Sequence, residues 1–456
     1  MDDTLDPDDW PAFRATAHKM LDAALNKMQN VGQGRVWTPP DADLKAGFDT
    51  DLPMQGHGIK ATQAQIENLL PFGVGNTHPR FFGWVHGAGS TSGLIADIAT
   101  AAMNANLGGR HHGAMLVEKQ VVGWCREIFE FPGTSSGLVV SGTSMATIIA
   151  LKVARDSHLG QGRKVGYASA QAHNCVVRTF DLLGLGRDAL RLIPVNAAYE
   201  MDIKALKSAI AADKAAGLQP FCVIGTAGSV NVGAIDDLDA IADICQAQNL
   251  WFHIDGAFGA SGMLCDVLRP RLTGLPRADS LAFDFHKWLH VNYDAGFVLI
   301  RDEAKHRAAF SDRPDYLASA TGGLAAGNPW PVEYGPELSR GFRALKIWAQ
   351  INEHGVQRLG QAITRNLEQA KLLEQLVLAH PELEMVAPVA MQIVCFRHIG
   401  SDALNEEIVL KLQENGIAAP STTRIDGRLA IRVNITNHRT KDEDLQVLVE
   451  AICRSI

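Results

Sequence analysis

Apolar residues recur along this chain in two rhythms, and the places where one gives way to the other divide it. From Asp8 to about Met28 the apolar positions Trp10, Phe13, Ala17, Met20, Leu21, Ala24 and Met28 fall three and four apart. That spacing predicts an amphipathic helix whose apolar stripe needs a cover, for which a partner subunit is one candidate. Residues 30–80 are rich in Pro and Gly and read as irregular. A helix is predicted from Ala114 to Phe129, then the strand GLVVSG, then the helix SMATIIALKVAR. Short apolar runs follow: VGYASA, RLIPV, FCVIG, LWFHID, SLAFD and AGFVLI, with helical stretches such as LKSAIAADKAAG and LDAIADICQAQ between several of them. Seven strands alternating with helices predict an α/β fold around a mostly parallel sheet covered on both faces.

Near Pro336 the rhythm changes. ELSRGFRALKIWAQINEHG reads as a long helix that runs into a second, from Val356 to about His380. A smaller α+β unit closes the chain: strand MQIVCFRH, helix DALNEEIVLKLQENG, strand RLAIRVNI and helix DEDLQVLVEAICRS. The expected division is a helical segment over 1–80 that swaps onto a dimer partner, a large domain over 81–350 and a small C-terminal domain over 351–456.

Composition narrows the function. The 456 residues carry a formal net charge of −8, with no basic stripe to meet a phosphate backbone, so nucleic acid is not an expected partner. Seven cysteines, an odd number without a CxxC pair, read as reduced and mostly buried thiols of a cytoplasmic protein. The acidic start MDDTLDPDDW is unlike a signal peptide, and no apolar run reaches membrane-spanning length.

Four short motifs carry candidate chemistry. In DFHKWLH, Lys287 follows the strand SLAFD; a desolvated lysine has a lowered pKa and attacks aldehydes better, although most loop lysines are solvated bystanders. In WFHIDGAFGA, Asp255 ends a strand, where it could hold a proton on a buried ring nitrogen, cap a helix or bind a metal. In VVSGTSMATIIAL, a strand turns into a helix start at which backbone N–H groups, Thr143 and Ser144 could hold a phosphate. In ASAQAHNCVV, His173 could stack on a planar cofactor or simply face solvent. Each signal is weak alone. Each follows a strand of one parallel sheet, however, and ligands of such sheets bind at the carboxyl ends of the strands. Phosphate turn, stacking histidine, aspartate and lysine agree on pyridoxal 5′-phosphate.

With these motifs in place, the chain resembles the group II pyridoxal-phosphate-dependent amino acid decarboxylases, closest in character to the bacterial aromatic-L-amino-acid branch. The resemblance runs over nearly the whole chain and includes HPRFFGW near 78, GTAGSVNVGAIDDL near 225, SRGFRALKIW near 339 and RVNITNHRT near 432. It implies the fold type I of pyridoxal-phosphate-dependent transferases and a homodimer whose active sites are built from two subunits. It further implies that Lys287 holds the cofactor as a Schiff base, Asp255 pairs with the ring nitrogen and His173 stacks on the ring, with Ala257 against the opposite face. Thr143, Ser144, Ser280, Asp284 and His286 fall where the family binds phosphate or supports it. Trp84, Val85 and His86 fall where it lines the side-chain pocket, and Tyr316 where it keeps a mobile-loop tyrosine. Three departures bear on substrate or ring packing: Met145 in the turn, GGRHHGAM at 108–115, and Asp-Gly-Ala-Phe at 255–258.

The expected reaction is α-decarboxylation of an L-amino acid, with an aromatic side chain suited by Trp84, Phe81 and Phe82, or an acidic one by His86, His111 and His112. A diamino substrate is a further option. An aminotransferase or carbon–carbon lyase is the competing reading, because Arg432 in LAIRVNI could clamp an α-carboxylate in two-pronged fashion. Arg340 is a second arginine that could reach substrate. A non-catalytic protein on the same scaffold is disfavoured by the intact lysine, aspartate and histidine.

Overall fold

The computed structural model describes residues 4–160, 162–311 and 320–454. The chain opens with helices α1 (Trp10–Gln29), α2 (Ala42–Gly47) and α3 (Ile59–Leu69), then a two-residue strand β1 (Phe81–Phe82), α4 (Thr91–Met103) and α5 (Gly113–Ile128). The central run is β2 (Ser136–Val140), α6 (Thr143–Ser157), β3 (Lys164–Ser169), α7 (Cys175–Leu182), β4 (Leu190–Ile193), α8 (Ile203–Ala215), β5 (Gln219–Thr226), α9 (Leu238–Gln248), β6 (Trp251–Asp255), β7 (Ser280–Asp284), β8 (Gly296–Ile300) and α10 (Glu303–Phe310). The last part holds α11 (Ala344–Leu378), β9 (Leu383–Met385), β10 (Ile393–His398), α12 (Asp402–Glu414), β11 (Ala419–Ile425), β12 (Arg428–Asn434) and α13 (Asp442–Arg454).

The seven expected strands form one sheet in the order β2-β8-β7-β6-β5-β3-β4. Only β8 runs antiparallel, against both β2 and β7, so the other six end at the same edge. Every residue of β6, β7 and β8 is buried, as a sheet covered on both faces requires. The second sheet, β1-β11-β12-β10-β9, packs with α11, α12 and α13 around Phe82, Leu373, Phe396, Ile431, Val433 and Leu448.

Two expectations need correction and a third holds. Residues 30–80, read as irregular, contain α2 and α3. Phe81–Phe82, taken as the start of the large domain, pairs in parallel with Ala419–Pro420 and so belongs to the small sheet. In α11 the helix is interrupted at Gly355 (φ 69°, ψ 154°), where the sequence placed the junction of two helices. A residue with a Cβ would be strained at that positive φ.

A buried ion pair fastens the large domain. Arg340 Nη2 lies 2.6 Å from Glu118 Oε1 of α5 and donates to Val139 O of β2 at 2.6 Å, while Nη1 donates to Leu107 O at 2.7 Å. Glu118 Oε1 also accepts the Val139 N–H at 3.1 Å, so the carboxylate and both terminal nitrogens of the guanidinium are engaged. Arg340 is therefore a structural residue and not a substrate contact. Glu118→Ala should leave the Arg340 charge buried and uncompensated, at a cost of about 3–5 kcal/mol. A denaturation midpoint equal to that of the unsubstituted protein would refute this, and Glu118→Gln, which keeps the acceptor for Val139, should fall between the two.

Candidate active site

The six parallel strands bring their carboxyl ends to one crevice, and the turns leaving β2, β3, β5, β6 and β7 supply its polar groups. Lys287 lies just beyond β7, its side chain 22% exposed, with Nζ 2.9 Å from Asp284 Oδ2. Burial pulls the lysine pKa down, but the neighbouring carboxylates Asp284 and Asp255 outweigh it, and the net shift is upward. The lowered pKa expected for this lysine is thus not what the structure holds. Two acidic groups keep the ammonium charged.

Asp284 also reaches the helix start. Its Oδ1 accepts the Thr143 N–H at 2.7 Å, at the first turn of α6, where Gly142 precedes the helix without a capping side chain. The Thr143 hydroxyl is buried without a partner, and Ser144 is exposed beside it. His286 accepts the Ala295 N–H on Nδ1 at 3.0 Å, which leaves its proton on Nε2, 3.7 Å from Asp284 Oδ2. Burial lowers the His286 pKa against the pull of Asp284, so the ring is neutral near pH 7.

Asp255 ends β6 and is 3% exposed. Burial raises its pKa above the usual carboxylate range, although Lys287, His173 and the Ala257 N–H all act in the opposite sense. Ala257 links the two acids, donating its N–H to Asp255 Oδ1 at 3.2 Å and accepting the Asp284 N–H at 3.0 Å. His173 follows β3 and accepts the Cys175 N–H on Nδ1 at 3.2 Å. Burial lowers its pKa; Asp255 raises it and Lys287 lowers it, so those two groups lie near the ring.

Two of the expected residues, Ser280 and Val85, stand elsewhere. Ser280 is at the opposite end of β7, its hydroxyl bound by Trp251 Nε1 at 2.7 Å and by His253 Nδ1 at 2.9 Å. It is a core group, because a five-residue strand separates its two ends by about 13 Å. Val85 is buried in the main core, whereas Trp84 is exposed and His86 half-buried. Tyr316 lies outside the described residues. Met145 sits half-buried in the first turn of α6, and His111, just before α5, donates its N–H to Leu324 O at 2.9 Å.

The geometry also adds residues that sequence reasoning missed. Thr226, at the end of β5, pairs in register with Asp255 and has a buried hydroxyl without a partner. Asp236 fixes it by accepting the Thr226 N–H at 2.8 Å. The signal was present in GTAGSVNVGAIDDL, a strand end in the same sheet. Tyr293 stacks on His286 with ring centroids 4.4 Å apart and lies 5.8 Å from His86, extending a row of rings through Trp84 and Phe81. It lies only six positions beyond Lys287, but no motif marked it.

These groups fit pyridoxal phosphate. Asp255 is a buried carboxylate raised in pKa, which a ring N–H would satisfy. The first-turn N–H groups of α6 beyond Thr143 and the orphaned Thr143 and Thr226 hydroxyls offer donors to phosphate and ring oxygens. Arg432, in contrast, is not free to clamp a carboxylate. Its Nε donates to Val230 O at 2.9 Å, Nη1 to Trp84 O at 2.9 Å and Nη2 to Val230 O as well.

Comparison with known proteins agrees. A family model described as the pyridoxal-dependent decarboxylase conserved domain matches residues 40–399. An aromatic-L-amino-acid decarboxylase from Bacillus atrophaeus is 34% identical, covering 96% of this chain and 94% of that one. An L-2,4-diaminobutyrate decarboxylase from Rhizobium meliloti (strain 1021) is 31% identical, over 88% of this chain and 83% of the other. Among solved structures, Oryza sativa TDC with PLP and tryptamine superposes with a TM-score of 0.90 at 25% identity, covering 99% of both chains. Fold, site and sequence together place this chain in the pyridoxal-phosphate-dependent amino acid decarboxylase family.

Proposed function

We propose that the protein removes the α-carboxylate of an aromatic L-amino acid as carbon dioxide and releases the amine, working as a homodimer in the reducing cytoplasm. The observation that carries the reaction type is Arg432, each of whose three guanidinium nitrogens already donates to protein oxygens. An aminotransferase needs its substrate carboxylate held by such an arginine, and here that guanidinium is committed. The row of rings Phe81, Trp84, His86 and Tyr293 supports an aromatic side chain. The diaminobutyrate decarboxylase relative supports a diamino acid as the second reading.

Bound in the crevice, pyridoxal phosphate supplies the electron sink for the pair left on Cα when the carboxylate departs. Lys287 would be the amine that anchors it. Asp255 keeps the ring nitrogen protonated. His173 and Ala257 would flank the ring, while Thr143 and Ser144 would hold the phosphate at the start of α6, with Asp284 and His286 as supports. Tyr316 returns the proton to Cα. Seven unpaired thiols support the reducing compartment, and among the described residues no helix is long and apolar enough to cross a membrane. Exposed Trp10, Phe48, Met54, Ile95, Ile98 and Leu116 crowd the first quarter of the chain and support a covered dimer face.

Four outcomes test this reading. Incubation with each amino acid should give carbon dioxide and amine in equal amounts, best with an aromatic one, and keto acid without carbon dioxide would overturn it. Lys287→Ala should fold but lose the visible absorption of the lysine-bound cofactor and nearly all turnover; a normal band would assign the anchor to another lysine. Tyr316→Phe should lower amine formation by roughly 10²-fold, the scale of a lost general acid, and an unchanged rate would remove Tyr316 from the reaction. Light scattering should give twice the chain mass, and an active monomer would exclude the dimer.

A further inference from the structure

At the far end of the small domain, three donor types meet from two separate segments. His380 follows the last turn of α11, Glu382 precedes β9, and Cys453 lies in the last turn of α13. Cys453 Sγ stands 3.8 Å from His380 Nδ1, and the ligand atoms of all three residues lie within 4.8 Å of one another. Cys453 is also the only cysteine that is not fully buried, and it is half-open to solvent together with His380.

We propose that His380, Glu382 and Cys453 form a binding site for Zn2+ that ties the C-terminal helix α13 to the α11–β9 corner. The donor set is one imidazole nitrogen, one thiolate and one carboxylate, which suits this borderline-soft cation. Ligands about 2.0–2.3 Å from a tetrahedral zinc lie roughly 3.5 Å from each other. The 3.8 Å His380–Cys453 separation already matches that spacing, and the remaining closure asks only for a rotamer change at exposed Glu382. A fourth position, open toward solvent, takes water. A cysteine binds zinc only as the thiolate, so the thiol must give up its proton. Zinc binding replaces that proton: the Sγ–H bond breaks, the Sγ–Zn bond forms and one proton leaves to solvent. Affinity should therefore increase with pH.

The test uses the untagged holoenzyme, equilibrated with zinc chloride alone, dialysed and analysed for metal. Cys453→Ser and His380→Ala should each lower bound zinc by one ion per chain. Zinc should also slow alkylation of Cys453 by about tenfold or more, since the metal-bound thiolate is no longer a free nucleophile. The six other thiols are buried, so the alkylated residue can be identified by peptide mass. Equal zinc content in the three proteins, or alkylation unaffected by zinc, would overturn the proposal. Both readouts are independent of decarboxylation.

Discussion

Asp284 is the group on which the crevice depends. One carboxylate oxygen takes the first free N–H of α6, and the other takes the Lys287 ammonium. A single side chain thus sets the distance between the helix start that would hold phosphate and the amine that would hold the ring. The backbone of Asp284 extends the constraint, because its N–H is bound by Ala257 two residues beyond Asp255. Strand ends from β2, β6 and β7 are locked into one geometry before any small molecule arrives. The carboxylate also neutralises the lysine, which lets an ammonium persist in a largely buried place.

The two arginines that drew attention in the sequence illustrate how a clamp and a rivet can look alike. Arg340 and Arg432 are both nearly inaccessible, and both spend their guanidinium donors on carbonyls from distant parts of the chain. Arg340 has Glu118 as its counter-charge. Arg432 has none of comparable closeness, and burial lowers its pKa to about 10. An arginine in a strand of a small domain reads equally well as either, because sequence shows the donor and not where its five N–H groups go.

The same limit governs what was legible elsewhere. The inner strands of the large sheet stood out because both faces are buried, so they read as largely apolar runs bounded by polar or glycine turns, whereas the edge strand β4 leaves Leu192 exposed. The break at Gly355 was visible for the same local reason. Strand β11, APSTTRI, was not, because its middle residues Ser421, Thr422, Thr423 and Arg424 are polar, and Thr422 and Arg424 face solvent. Strand β1 is two residues long and exists only by pairing with β11, a contact more than three hundred residues away in sequence. Ser280 and Thr226 show the converse. Both are hydroxyl residues at the tip of a buried strand, and only the direction of the strand decides which tip faces the crevice.

The short stretch from β1 to Gly87 joins these threads. Phe81 and Phe82 are stitched into the small sheet, Arg432 holds the carbonyl of Trp84, and Gly87 lies against the Lys287 peptide so closely that an added Cβ would sit 2.2 Å from His286 O and 2.4 Å from Lys287 O. The wall of aromatic rings is therefore borne by one domain and pressed against the anchor of the other. Divergence toward new amines need not begin inside the crevice. Drift in the small sheet, at residues such as Ala419, which pairs with Phe81, or Ser421, whose hydroxyl accepts the Trp84 N–H, can re-aim that wall while leaving Lys287, the aspartates, His173 and His286 untouched. A lineage of this architecture could thus explore side-chain preference through its scaffold and keep its reaction intact throughout.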